Sequence, residues 1–137
     1  MTDTNVLVGA LISPSGHNRD VIRACFAGRL RPIVGETLFH EYEEVLSREA
    51  LFRKSPLSRR ERVSFFEAFL SVCEWTHVYY LWRPNLRDEG DNRLIELAVA
   101  GSAGMIVTNN VRDFRGSELR FPSIGVVGPG QLMEELV

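Results

Sequence analysis

The run Gly104-Met105-Ile106-Val107-Thr108, leading into Asn109-Asn110-Val111-Arg112-Asp113-Phe114, decides how this chain is read. Its first part is continuously apolar, without the polar–apolar alternation of a strand that faces water on one side. A strand of that kind is buried on both faces, which is the habit of parallel sheets covered by helices. Downstream, Ile124-Gly125-Val126-Val127 reads as a last strand and residues 129–136 as a closing helix. Upstream, residues 91–100 are a predicted helix with Leu94, Ile95 and Ala98 inward, ended by Gly101. Residues 77–81 read as a strand stopped by Pro84. Residues 58–74 form a helix in which Ser58 and Glu61 fit a capping box, and Val63, Phe66, Phe69, Leu70 and Cys73 supply an apolar face.

The first third of the chain continues the alternation. Residues 36–47 are helical with Leu38, Tyr42 and Val45 on one stripe, and residues 32–34 are a short strand closed by Gly35. Residues 18–27 form a helix stopped by Gly28. Val6, Leu7, Ala10 and Leu11 recur at helical spacing before the break at Ser13-Pro14-Ser15-Gly16. Strands and helices alternating at these lengths predict an α/β fold: a three-layer α/β/α sandwich around a mostly parallel central sheet, in one domain over residues 1–137.

Four acids fall at locally awkward places. Asp3 runs straight into the apolar stretch Val6-Leu7-Val8, Glu41 borders the stripe of its helix, Asp91 is aligned with the inward residues Leu94 and Ile95, and Asp113 follows the buried strand. In open parallel sheets, active groups gather beyond the carboxyl ends of the strands. Asp3 is expected at the end of a first strand and Asp113 past the strand ending at Thr108, with Glu41 and Asp91 reaching over the same edge from helices. Carboxylates converging there repel each other unless a divalent cation lies between them, and an all-oxygen set suits Mg²⁺ or Mn²⁺. Two ions about 3.5–4 Å apart activate a water and stabilise the leaving oxygen of a phosphodiester. Each acid also has a local explanation: Asp3 as a helix cap, Asp91 as another with Asp88 as its rival, Glu41 as a solvated edge residue, Asp113 as a turn residue.

Composition narrows the classes. The chain has 137 residues, 45% hydrophobic and 25% charged, which fits one globular domain with its own core. No apolar run approaches the roughly 20 residues of a spanning helix, and no signal peptide is evident, so a cytoplasmic protein is expected. The net charge of −2 argues against coating nucleic acid by bulk electrostatics. Positive charge is nonetheless concentrated in Arg48, Arg53, Lys54, Arg59, Arg60 and Arg62, in a chain whose single lysine is Lys54. Arginine suits bidentate phosphate contacts, while a solvated helix face accounts for such a block equally simply. Cys25 and Cys73 make no disulfide scaffold, and His17, His40 and His77 have no zinc spacing. No glycine-rich phosphate loop is present.

The same positions carry a family resemblance. Asp3-Thr4-Asn5-Val6-Leu7, Glu41-Tyr42-Glu43-Glu44-Val45-Leu46, Leu81-Trp82-Arg83-Pro84-Asn85-Leu86-Arg87-Asp88-Glu89-Gly90-Asp91-Asn92 and Ile106-Val107-Thr108-Asn109-Asn110-Val111-Arg112-Asp113-Phe114 resemble, in order and spacing, a PIN domain of the toxin branch of toxin–antitoxin pairs. The resemblance implies a metal-dependent ribonuclease using Mg²⁺ or Mn²⁺, with Asp3, Glu41, Asp91 and Asp113 holding the metal. It implies support from Asn5, Asp88, Thr108 and Asn110, and many related domains have an acid where Asn110 stands. Arg112, Arg59 and Arg60 are the RNA-binding residues on that reading. The implied partners are RNA, a cognate antitoxin that covers or enters the acidic edge, and a second copy in a homodimer, with no membrane. Relatives carry several apolar strand residues before the Asp-Thr-Asn triplet, whereas only Met1 and Thr2 precede Asp3 here. A truncated first strand, or a start upstream of Met1, is therefore expected, with Asp3 less firmly held. Such a chain also admits a different class, a catalytically inactive PIN-like binding module that interacts with RNA or a partner protein; metal titration separates the two. A phosphoacceptor signalling domain also clusters acids on such an edge, but it wants a lysine there, and Lys54 lies in the basic block.

Overall fold

The computed structural model describes residues 2–13, 15–77, 97–99, 101, 104–114 and 124–136. Asp88 and Asp91 lie outside the described residues, as does most of the predicted strand at 77–81 and of the predicted helix at 91–100, of which 97–99 are helical.

Helix α1 (Thr4–Ile12) follows Asp3, which takes the extended conformation of an N-cap and accepts a hydrogen bond from the Thr4 backbone N–H. Val6, Leu7, Ala10 and Leu11 are all fully buried, so this helix runs through the interior. Helix α2 (His17–Phe26) ends where Gly28 adopts φ +78°, and the Arg29 N–H returns to the Ala24 carbonyl. Only glycine takes that left-handed turn without steric cost, which is why the periodic pattern stops there. Strand β1 (Ile33–Val34) leads into α3 (Glu36–Leu46), and Ser58 opens α4 (Arg59–Val72) with the predicted capping box complete on both sides. Strand β2 (Glu74–Trp75) follows at once. Strands β3 (Met105–Val107) and β4 (Gly125–Val127) precede α5 (Pro129–Leu136).

Among the described residues, all the strand pairing is parallel. β1 pairs with β2, Ile33 opposite Glu74, and β3 pairs with β4, Met105 opposite Gly125 through Val107 opposite Val127. Parallel neighbours need a long crossover, and α3 with α4 supplies it between β1 and β2. Ile106 and Val126 pack into one apolar cluster with α3 and α4 residues, while Val107 and Val127 pack into another with Val21 of α2 and Leu132 of α5. The β3–β4 pair is thus buried on both faces, as its uninterrupted apolar run predicted. The fold is α/β with short parallel strands; the described strands form two separate pairs rather than one continuous central sheet.

The first strand is, among the described residues, a single parallel bridge from Thr2 to Val107, short as expected. Several other local expectations shift. Helix α4 stops two residues before the expected end, because Glu74 is drawn into pairing with β1 through its N–H to the Pro32 carbonyl. Val63 is half-exposed instead of inward. The buried line on α4 runs through Arg62 and Phe69, seven residues or about two turns apart, and one residue's rotation of about 100° takes Val63 off it. Arg62 is no solvated member of the basic block: its guanidinium reaches Glu49 at 2.7 Å and the Leu57 carbonyl at 3.0 Å, and lies over the Phe52 ring at 4.8 Å. No described helix is long and apolar enough to cross a membrane.

A polar corner at the carboxyl end of the strands

The Thr2 bridge sets the site. Because Thr2 runs parallel to β3, the Asp3 N–H reaches the Val107 carbonyl at 2.9 Å, and the Asp3 side chain emerges at the carboxyl end of β3. Thr108, the next residue of that strand, is fully buried and donates its hydroxyl to Asp3 Oδ2 at 2.7 Å from 105 residues away in sequence. The same Thr108 oxygen accepts from the Asn110 N–H at 3.1 Å and from Asn5 Nδ2 at 3.4 Å, so its one proton and both lone pairs are used. Asn5 Nδ2 also reaches Asp3 Oδ2 at 3.3 Å, and the Thr4 N–H reaches Oδ1 at 2.8 Å. Three donors to the carboxylate and the Asp3 N–H's own bond to Val107, with partners in two segments, therefore fix the Asp3 backbone and carboxylate. What holds Asp3 is pairing with β3 and the first turn of α1 rather than a long strand. Asp3 both caps α1 and belongs to the corner.

Buried polar residues gather here. Thr2, Thr4 and Thr108 are three of the four polar or charged residues buried among those described, and all adjoin Asp3 in space or sequence. Tyr42 of α3 is 1% exposed and donates its hydroxyl to the Thr2 carbonyl. Burial pushes that hydroxyl's pKa well up, and Cys73, Asp3 and Glu41 raise it further. The charges of Asp3 and Glu41 thus both bear on the one phenol of Tyr42. Sequence reading took Tyr42 as plain core; its polar tip was the available signal, since a buried Tyr hydroxyl usually finds a partner.

The other candidates are placed less tightly. Glu41 is exposed, because Leu38 and Tyr42 alone form the fully buried line of α3 and Glu41 turns off it. Asp113 is exposed on the 3₁₀ turn Val111–Phe114, anchored by buried Phe114 and by its own N–H to the Asn110 carbonyl at 3.0 Å. Asn110 is exposed and joins through its backbone. Arg59 reaches Glu49 at 3.8 Å, and Arg60 and Arg112 are exposed. His40 lies on the surface between Glu36 and Glu43. Cys25 and Cys73 are free thiols whose pKa burial raises to about 11 and about 12.

The donor chemistry is that of a hard cation, with carboxylate oxygens flanked by hydroxyl and amide groups. Among the described residues, no three His, Cys, Asp or Glu side chains come close enough to share a metal ion. At this corner the described donors converge on the Asp3 carboxylate.

A family model for the PIN domain matches residues 1–112. No curated protein and no solved structure matches the chain.

Proposed function

This chain belongs to the PIN domain family, whose members are generally nucleases that use divalent metal ions, and from that premise we propose that it is a metal-dependent endoribonuclease acting as the toxin of a toxin–antitoxin pair. The observation that carries the reading is the cradle of Asp3, an oriented carboxylate at the carboxyl end of β3. Asp3, Glu41, Asp91 and Asp113 hold Mg²⁺ or Mn²⁺, with Asn110 as the alternative to Asp113 and Asp88 in a supporting place. Such an ion supplies activation of water and charge stabilisation at the leaving oxygen of a phosphodiester.

The protein's own groups do the rest. Thr108 and Asn5 on Oδ2 and the Thr4 N–H on Oδ1 keep both oxygens of Asp3 at fixed angles, so the carboxylate needs little reorganisation when charge develops beside it. Arg112, Arg60 and Arg59 contact RNA phosphates, Arg59 exchanging its exposed pairing with Glu49 for the ligand. The chain acts as one domain, a three-layer sandwich in the cytoplasm, as a homodimer silenced by an antitoxin over the acidic edge.

Purified protein with RNA and Mn²⁺ tests this reading. Cleavage is expected, with loss in Asp91→Ala. Activity that persists unchanged in Asp91→Ala overturns the assigned site, and a wild-type protein that binds no Mn²⁺ by calorimetry overturns the metal mechanism.

A further inference from the structure

Beyond the groups that touch Asp3 lies a second tier of amides. Asn5 faces two ways: its Nδ2 points to Asp3 Oδ2 and Thr108 Oγ1, and its Oδ1 accepts from Asn109 twice, from the backbone N–H at 3.1 Å and from Nδ2 at 3.2 Å. Flipping the Asn5 amide would set its NH₂ against two donors and its oxygen against a carboxylate. The two donors of Asn109 therefore decide which face Asn5 turns to Asp3. Asn109 is exposed, so its side chain competes with water unless something holds it. The holder is Asn18 on α2, whose Oδ1 accepts from Asn109 Nδ2 at 3.1 Å.

Asn18 is held in turn by close packing. A Cβ built on Gly9 of α1 would lie 2.2 Å from Asn18 Nδ2 and 2.8 Å from its Cγ. The amide of Asn18 thus lies directly on the bare backbone of α1, in space that any larger residue at position 9 would occupy. A glycine in the middle of a buried helix is costly in propensity, and this contact gives it a reason.

We propose that Asn109 and Asn18 are positioning residues for Asp3, forming an amide relay that runs from α2, over Gly9, through the loop after β3 to Asn5. Its consequence for catalysis rests on the reading of Asp3 as a metal-holding carboxylate. Asn18 sits 15 positions from Asp3 on a separate helix, and the relay makes α2 part of the catalytic corner without contact to metal or RNA. Loss of a group that orients a metal-holding side chain characteristically costs activity or metal affinity while leaving the fold intact.

Three variants test the relay: Asn18→Leu, which removes the acceptor; Gly9→Ala, which favours the helix but displaces the Asn18 amide; and Asn18→Asp, which keeps an oxygen for Asn109. Asn18→Leu and Gly9→Ala are expected to lower kcat for Mn²⁺-dependent RNA cleavage by about tenfold, with KM for RNA unchanged and Asn18→Asp restoring most of the rate. Wild-type kcat in folded Asn18→Leu and Gly9→Ala overturns the proposal. If the wild type neither cleaves RNA nor binds Mn²⁺, the nuclease reading has failed, and the relay is decided separately by NMR of the metal-free protein. Exchange of the Asn5 side-chain amide protons then speeds up in Asn18→Leu and Gly9→Ala if the relay exists, and equal rates in all variants overturn it.

Discussion

Arg62 and Asp3 both carry a charge out of bulk water, one on α4 and one ahead of α1, and their surroundings differ in kind. Arg62 meets a countercharge: Glu49 lies at 2.7 Å, with the Leu57 carbonyl and the Phe52 ring completing its shell. Asp3 meets a hydroxyl, a side-chain amide and a backbone N–H. A countercharge stabilises the fold by cancelling a charge, whereas the described donors at Asp3 converge on both carboxylate oxygens and fix how they point. The first arrangement is architecture, and the second suits a group whose orientation matters.

The largest expected effect breaks the Asp3 side of this contrast. Asp3→Asn keeps the shape and, with its oxygen on the Thr4 N–H, the helix cap, but sets an NH₂ against Asn5 Nδ2, so folding stability should fall by only about 1–2 kcal/mol. Metal-dependent cleavage should nonetheless fall by at least about a hundredfold. Paired measurements of unfolding by urea and of RNA cleavage check both halves; a variant that cuts RNA at the wild-type rate removes Asp3 from the mechanism. Arg62→Ala should do the reverse, lowering stability by about 2–3 kcal/mol with cleavage per folded molecule unchanged. Glu49 is more than half exposed, and solvent screening keeps the loss below that of a fully buried pair.

A smaller effect sharpens the contrast at the Asp3 corner itself. Tyr42→Phe strands the Thr2 carbonyl and should cost about 1–2 kcal/mol by chemical denaturation. Because Thr2 carries the bridge that presents Asp3, Mn²⁺ affinity measured by calorimetry should weaken in the same variant. Unchanged affinity would mean that β3 pairing alone holds the corner.

The smallest effect concerns the cap of α4, near the Arg62 region. Hydrogen bonds from Ser58 to Glu61 lower that carboxyl's pKa from 4.5. A lowered folded-state pKa adds stability that is present above the unfolded value and lost as pH falls through the folded one. Wild-type stability should therefore drop on acidification below about pH 4.5 more than that of Glu61→Gln, as thermal melts across the acid range will record. Parallel acid profiles for the two proteins would break the assignment.

Much of the helical framework was legible because its signals are local. The Ser58–Glu61 capping box, the stop at Gly28 and the span of α5 each depend on residues within a turn of one another. The Asp-Thr-Asn start was legible as a cap and as part of the PIN pattern for the same reason. Val63 and Arg62 were misplaced because a helical stripe fixes relative angles on one helix but not which neighbours cover it. Tyr42, Asn109 and Asn18 went unnoticed as contributors because each looks ordinary in its own segment.

What the sequence determined by itself is the supply of groups: an all-oxygen acid set, a strand apolar enough to be buried on both faces, and the family pattern over residues 1–112. Only the tertiary structure decided which of those groups meet. Thr108 reaches Asp3 across 105 positions, Asn109 reaches Asn5 across 104, and Glu49 neutralises Arg62 across 13. Such contacts exist only after parallel pairing of Thr2 with β3 and packing of α2 on α1 have brought distant segments together, and no local propensity encodes that meeting.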